Sequence, residues 1–303
     1  MLLKPNTVIK EYKVVEFLHT NRRVYREEYV GINNENKTVL IVAYDTTSQK
    51  LSKNAYIKEI GFQSCVFSPS FMELCDDFVT VIRKKRIQVL VYKYQKTITL
   101  EEAMYLGKIK QDDAWRIFFD IAIGVKELKY CCHDAIHTNL SPKTVMVYWD
   151  KRKKARGIIT NLQYVYNYCI KKNTIDYDEL NPCYTPPEYD TGCMSERSME
   201  FSIALLLAFM LQGYHPWLMP IDSTDSNHRK QFTMAKPVFN VPAKLIDCLY
   251  KALQPIPQHR YETIEEFVSE AMKSSPFKMP VTYECFGKGC APKKKKRNAD
   301  IKS

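Results

Sequence analysis

The chain has 303 residues, of which 45% are hydrophobic and 26% are charged. This balance is that of a globular protein with a sizeable core, and it excludes wholesale disorder and fibrous structure. Its apolar runs are shorter than a membrane-spanning helix requires, and its first residues lack an apolar signal core. We therefore expect an intracellular protein, cytoplasmic or nuclear, without membrane insertion.

The formal net charge is +11, and much of it lies in the last 26 residues. Residues 278–303 carry eight Lys/Arg against two Asp/Glu, a net charge of +6, which leaves +5 for the rest. A mildly basic body does not by itself indicate a nucleic-acid-binding domain. The basic run resembles a monopartite nuclear-import signal in a eukaryotic source; a nucleic-acid contact, an acidic-membrane contact and a solubilising tail are the alternatives. This run consists of Lys293, Lys294, Lys295, Lys296 and Arg297.

Ten cysteines are scattered along the chain and are expected to stay reduced. The local clusters are Cys131-Cys132-His133 and the pair Cys285 and Cys290. A zinc site usually combines two Cys/His pairs, and neither cluster has a clear partner pair. Buried free thiols and no metal are the prediction.

The first 94 residues predict a small sheet that carries one helix. Runs rich in β-branched and aromatic residues predict strands. Ser52 is a suitable cap for the predicted helix. Strands are expected at 10–17, 24–30, 38–44, 78–83 and 87–94, and a helix at 52–63.

From about residue 100 the hydrophobic period becomes helical. Helices are predicted at 100–106, 111–130, 201–211, 244–253 and 264–272, with a strand pair at 145–149 and 157–160. The run 201–211 is apolar nearly all round and predicts a buried helix. The predicted organisation is a β-rich part over 1–94, a helical part over 95–275 and a basic tail over 276–303. A cleft at the junction of the first two is the expected ligand site.

Several segments, in order, resemble motifs of protein kinases. The stretch His137–Met146 resembles the kinase catalytic loop, with matches at His137, Leu140, Pro142, Val145 and Met146. Downstream, Ile158–Gln163 lies at the place of the metal-binding segment, and Pro186-Pro187-Glu188 resembles A-P-E. The resemblance to the protein kinase superfamily covers about residues 8–272. It implies an α+β fold of two lobes, with a small β-rich N-lobe and a large helical C-lobe.

The same resemblance implies a degenerate active site. Asn139 stands where the catalytic aspartate belongs, Ser141 replaces the loop lysine and Thr144 replaces a magnesium-binding asparagine. Asn161 replaces the main magnesium ligand, and Asp45 aligns with the phosphate-binding lysine, an alignment that a shift of one or two residues would change. An amide lacks useful basicity and is a poor partner for Mg²⁺. We therefore expect no enzymatic activity, no metal and doubtful ATP binding.

Other matched positions are expected to be structural. The resemblance implies that His137 and Leu162 stack between the lobes and that Glu188 pairs with Arg260. Val24, Ala43 and Met146 match the residues that sandwich adenine in active kinases, and they could equally pack on one another.

The resulting functional prediction is a pseudokinase that acts as a protein-binding scaffold or allosteric regulator. Its expected partner is an active kinase or another enzyme. An atypical nucleotide-binding enzyme and a nucleic-acid-associated module that uses the basic tail are the alternatives. The oligomeric state is not predicted.

Overall fold

The computed structural model describes residues 1–22, 24–47, 50–132, 135–162, 165–166, 181–220 and 225–277, and its class is α+β. The strands are β1 (Val8–Ile9), β2 (Tyr12–Asn21), β3 (Arg26–Asn33), β4 (Thr38–Asp45), β5 (Leu74–Ile82), β6 (Lys85–Lys93), β7 (Ile98–Thr99), β8 (Ile136–His137), β9 (Val145–Trp149), β10 (Ala155–Ile159) and β11 (Val165–Tyr166). The helices are α1 (Lys50–Gln63), α2 (Leu100–Tyr105), α3 (Gln111–Cys131), α4 (Glu196–Gln212), α5 (Gln231–Met234), α6 (Ala243–Ala252) and α7 (Ile264–Met272).

Six strands form one antiparallel sheet in the order β1-β2-β3-β4-β6-β5. The sheet curls so far that strands near its two ends meet. The Tyr12 ring of β2 stacks on the Phe78 ring of β5 with centroids 6.1 Å apart. Beside them, Lys10 Nζ lies 2.6 Å from Asp76 Oδ2. The sheet is therefore nearly a closed barrel, as strongly twisted antiparallel strands allow.

Strict alternation along the strands gives this sheet two separate cores. Successive side chains of a strand point to opposite faces, so odd and even positions of β4 sort into different clusters. The barrel interior contains Val39, Ile41 and Ala43 of β4 with Ile87, Val89 and Val91 of β6. The outer cluster, which α1 covers, contains Leu40, Val42 and Tyr44 of β4 with Ala55, Leu90 and Tyr92.

The helical part is organised around α3 and α4. Helix α4 is buried nearly all round from Ser198 to Met210, which is why its sequence reads as an apolar run. It begins at Glu196, five residues before the predicted start, because Ser195 and Ser198 form a capping box ahead of the apolar run. Among the described residues, no helix has the length and apolar content needed to cross a bilayer.

One segment joins the two parts. Phe71 forms a parallel β-bridge with Ile159, and the Ile159 N–H donates to the Ser70 carbonyl over 2.8 Å. Helix α3 approaches this segment closely at Gly124, where an added Cβ would lie 2.7 Å from Ile159 Cδ1 and 2.9 Å from Ser70 Cβ. A residue without a side chain is therefore required at position 124.

The predicted two-lobed, protein-kinase-like arrangement was wrong. The described residues form a near-closed, six-stranded antiparallel barrel beside a helical part, and they do not show the small-lobe and large-lobe arrangement of a kinase. The physical reason is that loop motifs and element order specify local structure. Sheet curvature depends instead on distant pairs such as Tyr12 and Phe78. The descriptions pseudokinase and inactive kinase, which rested on that fold, are withdrawn.

Candidate functional site

A cleft of about 680 Å³ lies where the barrel meets the helical part. Strands β2, β3 and β4 form one wall, and the segment 94–102 forms another. The loop after β8 and the end of β10 supply the floor. Side chains of the floor are mostly neutral and polar: Asn139, Ser141, Thr144, Thr160, Asn161 and Asn181, with Lys143 and Met146.

His137 is buried beneath this floor. The Asn139 backbone N–H donates to His137 Nδ1 over 3.2 Å, so the ring proton is on Nε2, which donates to the Thr160 carbonyl over 2.9 Å. Burial lowers the pKa of His137 to about 4, and the ring is neutral near pH 7. Both ring nitrogens are thus engaged in holding the loop against β10.

The other floor side chains bind backbone groups, of the loop itself or of the neighbouring segment at Asn181. Asn139 Oδ1 accepts from the Asn181 N–H over 3.2 Å. Thr144 Oγ1 donates to the Asn139 carbonyl over 2.5 Å and accepts from the Ser141 N–H over 3.0 Å. All three floor side chains are buried. Their hydrogen bonds fix the shape of the loop, and the groups are neutral at every ordinary pH.

Asn161 and Leu162 end the floor. Asn161 has a φ of +59°, in the left-handed region that asparagine tolerates better than most residues. Just before it, Thr160 Oγ1 donates to the Thr144 carbonyl over 2.9 Å. Leu162 is buried in the helical core beside Leu140. The structure therefore brings Asn139, Ser141, Thr144 and Asn161 together at one site.

Three residues assigned to the cleft lie elsewhere. Asp45 is buried at the end of β4, where its carboxylate pairs with Lys85 Nζ over 2.6 Å. Ala43 packs in the barrel interior and Val24 in the cluster under α1. Of the predicted adenine sandwich, Met146 lines the cleft. Strand alternation explains the difference, because β4 presents Leu40 to the cleft and a one-residue offset turns Ala43 and Asp45 to the opposite face.

A buried network of charged side chains lies at the edge of the cleft, and the sequence did not predict it. Arg26 of β3 contacts Glu28 through Nη1, and its Nε lies 3.4 Å from Glu59 Oε2 on α1. Glu59 also accepts from the hydroxyls of Tyr44 and Tyr92, the latter over 2.7 Å. Arg26 and Glu28 line the cleft. No local pattern marks this network, because its contacts with Glu59 bridge up to 33 residues of the chain and its members belong to four elements.

Glu188 and Arg260 form a bidentate ion pair in the helical part, with Nη1–Oε1 at 2.7 Å and Nη2–Oε2 at 2.9 Å. Ser198 Oγ donates to Glu188 Oε1 over 2.7 Å. The Arg260 guanidinium also lies 4.7 Å from the centroid of the Phe201 ring. The pair does not line the cleft; it joins the turn at 187–191 to α4 and to the segment before α7.

The remaining predicted sites are metal ligands, the clustered cysteines and the basic tail. Within the part of the chain that the structure describes, no group of three or more His, Cys, Asp or Glu side chains is placed to hold a metal ion. Cys131 and Cys132 are free thiols there, the second of them buried. His133, Cys285, Cys290 and the basic run Lys293–Arg297 lie outside the described residues.

Comparison with known proteins adds no relative. No family model matches the chain. No curated protein matches it either.

Proposed function

We propose that this chain acts by binding another protein and does not catalyse a reaction at its cleft. The observation that carries the proposal is that the side chains of the cleft floor form hydrogen bonds within the protein. Its amide and hydroxyl side chains are neutral; Asn139 Oδ1 accepts from the Asn181 backbone, and Thr144 binds the loop backbone. His137, the one imidazole beneath the floor, has both nitrogens engaged.

General acid–base chemistry needs a group that exchanges a proton near the working pH. The amides of Asn139 and Asn161 and the hydroxyls of Ser141 and Thr144 do not do so. A pKa near 4 removes His137 from the same role at neutral pH. These floor groups therefore supply no general acid or base. The histidine and the carboxylates that line the cleft lie on its walls: His19, Glu28, Glu101 and Glu102. We expect no nucleotide-dependent turnover and no resident cofactor. The sequence-based partner, an active kinase or another enzyme, stays a prediction.

The test is a turnover assay on the purified full chain and two cleft variants, Asn139→Ala and Asn161→Ala. Each protein is incubated with nucleoside triphosphates in the presence of Mg²⁺, Mn²⁺ or a chelator. No variant should differ from the protein-free blank. Turnover by the natural chain that falls in either variant would establish an enzyme with unusual chemistry and overturn the proposal.

Nucleotide occupancy is measured separately by thermal shift. A ligand present at one hundred times its dissociation constant stabilises the folded state by about 2.7 kcal/mol. Under the proposal, ATP leaves the melting temperature unchanged with or without Mg²⁺. A shift in the natural chain that disappears in Asn161→Ala would place a nucleotide in the cleft.

A nucleic-acid-associated role is the second candidate, and two exposed basic turns favour it. The hairpin between β5 and β6 presents Arg83 and Lys84, and the hairpin between β9 and β10 presents Lys151 to Lys154. Binding through such groups weakens steeply with salt. The test is duplex binding at 50 and 200 mM salt by the full chain and by a variant with Lys293–Arg297 replaced by serine. A salt-independent or absent interaction removes this candidate.

Nuclear import through Lys293–Arg297 is part of the same proposal for a eukaryotic source. A fluorescent fusion of the full chain should accumulate in the nucleus. The five-serine variant should not. Equal distribution of the two proteins would contradict this role of the basic run.

A further inference from the structure

Four exposed apolar side chains lie close together on the helical part. Leu218 is 69% exposed, Met234 75%, Val238 50% and Tyr250 37%. Single exposed apolar residues are ordinary, but a contiguous group of them is typical of a contact surface. These four residues are called the Leu218 patch below.

Hydrogen bonds between their chain neighbours bring together the segments that carry these four residues. The Val238 N–H donates to the Pro216 carbonyl over 2.7 Å. Trp217 Nε1 donates over 2.9 Å to the carbonyl of the residue after Met234. The Tyr250 hydroxyl donates over 3.3 Å to the carbonyl of the residue before Val238. Three separate chain segments thus meet at the patch.

The patch rests on rigid aromatic packing. The rings of Trp217 and Phe232 meet edge to face at 4.9 Å, and Phe232 meets Phe201 of α4 at 5.0 Å. Below them, His215 is buried and donates from Nε2 to the Cys183 carbonyl over 2.8 Å. A side chain held on such a support loses little freedom when it binds, which favours affinity.

Leu218 itself is held in a costly conformation. Its φ is +55°, in the left-handed region where a leucine costs about 1–2 kcal/mol relative to the right-handed one. The Leu218 N–H donates to the His215 carbonyl over 2.7 Å, which keeps the turn in place. Glycine would adopt this φ without strain, so the leucine side chain is present at a cost to folding, and strained positions of this kind often belong to binding surfaces.

The charged residues near the Leu218 patch indicate which kind of partner would bind there. From Asp225 to Lys251 the sequence has four lysines and two aspartates, and its one arginine, Arg229, is paired with Asp190. The exposed Lys236 stands between Met234 and Val238 in the chain. The whole chain has a net charge of +11, which disfavours a second copy seated on the same surface. The lysines are Lys230, Lys236, Lys244 and Lys251.

We propose that the Leu218 patch docks an acidic protein segment that places apolar side chains on Leu218, Met234 and Val238. The inference rests on the proposed protein-binding function and names the surface that performs it. Apolar contacts at the centre supply affinity, and the surrounding lysines meet carboxylates of the partner at the rim.

The probe is a library of random 16-residue peptides displayed on phage and selected on the full-length chain. Enriched peptides should combine Asp and Glu with Leu, Phe or Trp. Leu218→Asp and Met234→Asp should each weaken the best peptide at least tenfold. Val81→Asp is the matched control, because Val81 is also 69% exposed but lies on β5, and it should change binding less than twofold.

Leu218→Gly separates docking from folding. Glycine adopts a positive φ without strain, so this variant should melt at or above the temperature of the natural chain and still bind at least tenfold more weakly. A variant that binds normally would overturn the proposal.

Two further measurements decide between occupants. Vesicles that contain phosphatidylserine should not bind the chain through the patch; binding that Leu218→Asp abolishes would assign the patch to a membrane. Sedimentation should show no dimer that Leu218→Asp dissolves; such a dimer would assign the patch to a second copy. A protein partner that binds all patch variants equally would show that the Leu218 patch is not the docking surface, without contradicting the proposed protein-binding function. Nucleotide turnover would contradict the proposed function itself.

Discussion

His137 and His215 are buried histidines with the same pattern of hydrogen bonds. In each ring Nε2 donates to a backbone carbonyl, of Thr160 and Cys183 respectively. In each, Nδ1 accepts the backbone N–H of the residue two positions later. Burial lowers the pKa of both to about 4. Each of these two neutral imidazoles therefore links backbone segments that are distant in the chain.

This pattern predicts a loss of stability in acid. The folded pKa is about 4 and the unfolded value about 6.5, so the unfolded chain binds protons first as the pH falls. The stabilisation is complete above pH 6.5 and is lost between 6.5 and 4, by up to about 3 kcal/mol for each histidine. Urea unfolding from pH 7.5 to 4 measures it. His215→Asn should flatten the slope, and the exposed His259→Asn should leave it unchanged.

The titration of Glu200 changes the stability of the protein with pH in the opposite direction. It is fully buried on α4, Oε1 accepts the Tyr261 N–H over 3.2 Å, and Oε2 has no hydrogen-bond partner among the described residues. Burial raises the pKa of Glu200 to about 8. The folded chain therefore keeps a proton that the unfolded chain has released, and stability falls as the pH rises from about 4.5 to 8.

Glu200→Gln removes that titration with little change of shape. At pH 8 the variant should be more stable than the natural chain by a few kcal/mol, at most about 5. At pH 4.5 the difference should vanish. Urea unfolding at both values is the measurement, and an equal gain at the two would show that the carboxyl is not protonated in the folded state.

At the scale of elements, the carboxylate of Glu59 links α1 to three strands of the sheet. Glu59 accepts from hydroxyls on β4 and β6 and lies beside the guanidinium of Arg26 on β3. Strand β4 passes through the middle of the sheet, so the network fixes the helix to its most constrained region. Arg26 and Glu28 also line the cleft, and the position of α1 therefore bears on the shape of the cleft.

Glu59→Ala should release α1 selectively. The change removes one of the two carboxylates that pair with buried Arg26 and leaves the hydroxyls of Tyr44 and Tyr92 without their acceptor. Breaking a buried ion pair typically costs about 3–5 kcal/mol. Hydrogen exchange should accelerate in 52–63 more than in α3. Glu73→Ala is the control, because Glu73 and Lys93 form an exposed pair that contributes at most about 1 kcal/mol. Uniform acceleration throughout the chain would instead indicate general destabilisation.

At the scale of the molecule, the segment from α1 to β5 couples the barrel to the helical part. Phe62, Val66 and Phe71 come from the first 94 residues, yet they pack in the helical core. Glu127 of α3 is fully buried and accepts from the backbone N–H groups of Phe67 and Ser68. Sequence organisation predicts two domains that meet near residue 94, and this segment ties them together.

The natural chain should therefore unfold in a single transition. All three tryptophans lie in the helical part, so their fluorescence reports on that part, while far-ultraviolet circular dichroism reports on the whole chain. The two curves should coincide in the natural chain. In Glu127→Ala they should separate, because two backbone donors lose their acceptor. Glu270→Ala, at an exposed pair with Lys273, should leave them coincident.

Much of the secondary structure could be predicted from the sequence. Runs rich in β-branched and aromatic residues located β3, β4 and β6 to within a few residues, and the helical period located α3 and α7. Two-residue strands such as β1 and β8 were not predicted, because two residues are too few to show a hydrophobic pattern. In the site, the loop from His137 to Met146 was found because its members are adjacent in the chain.

The remaining features depend on non-local contacts. Arg26 reads as an ordinary strand residue, and its burial becomes evident through Glu59 on a different element. Asp45 turns away from the cleft because a single-residue offset on a strand reverses the face. The closure of the sheet depends on contacts between residues more than 60 positions apart, which no local motif encodes.

The curvature of the sheet has a consequence for behaviour in concentrated solution. Strand β1 is two residues long, and β5 is faced at Asp76 and Phe78 by Lys10 and Tyr12. The near-closure of the barrel therefore places residues 10–12 beside β5, which leaves less room for a foreign chain to add there. Protection of this kind discourages growth by strand addition, and the protein should resist conversion to amyloid-like fibres better than a flat sheet of similar composition.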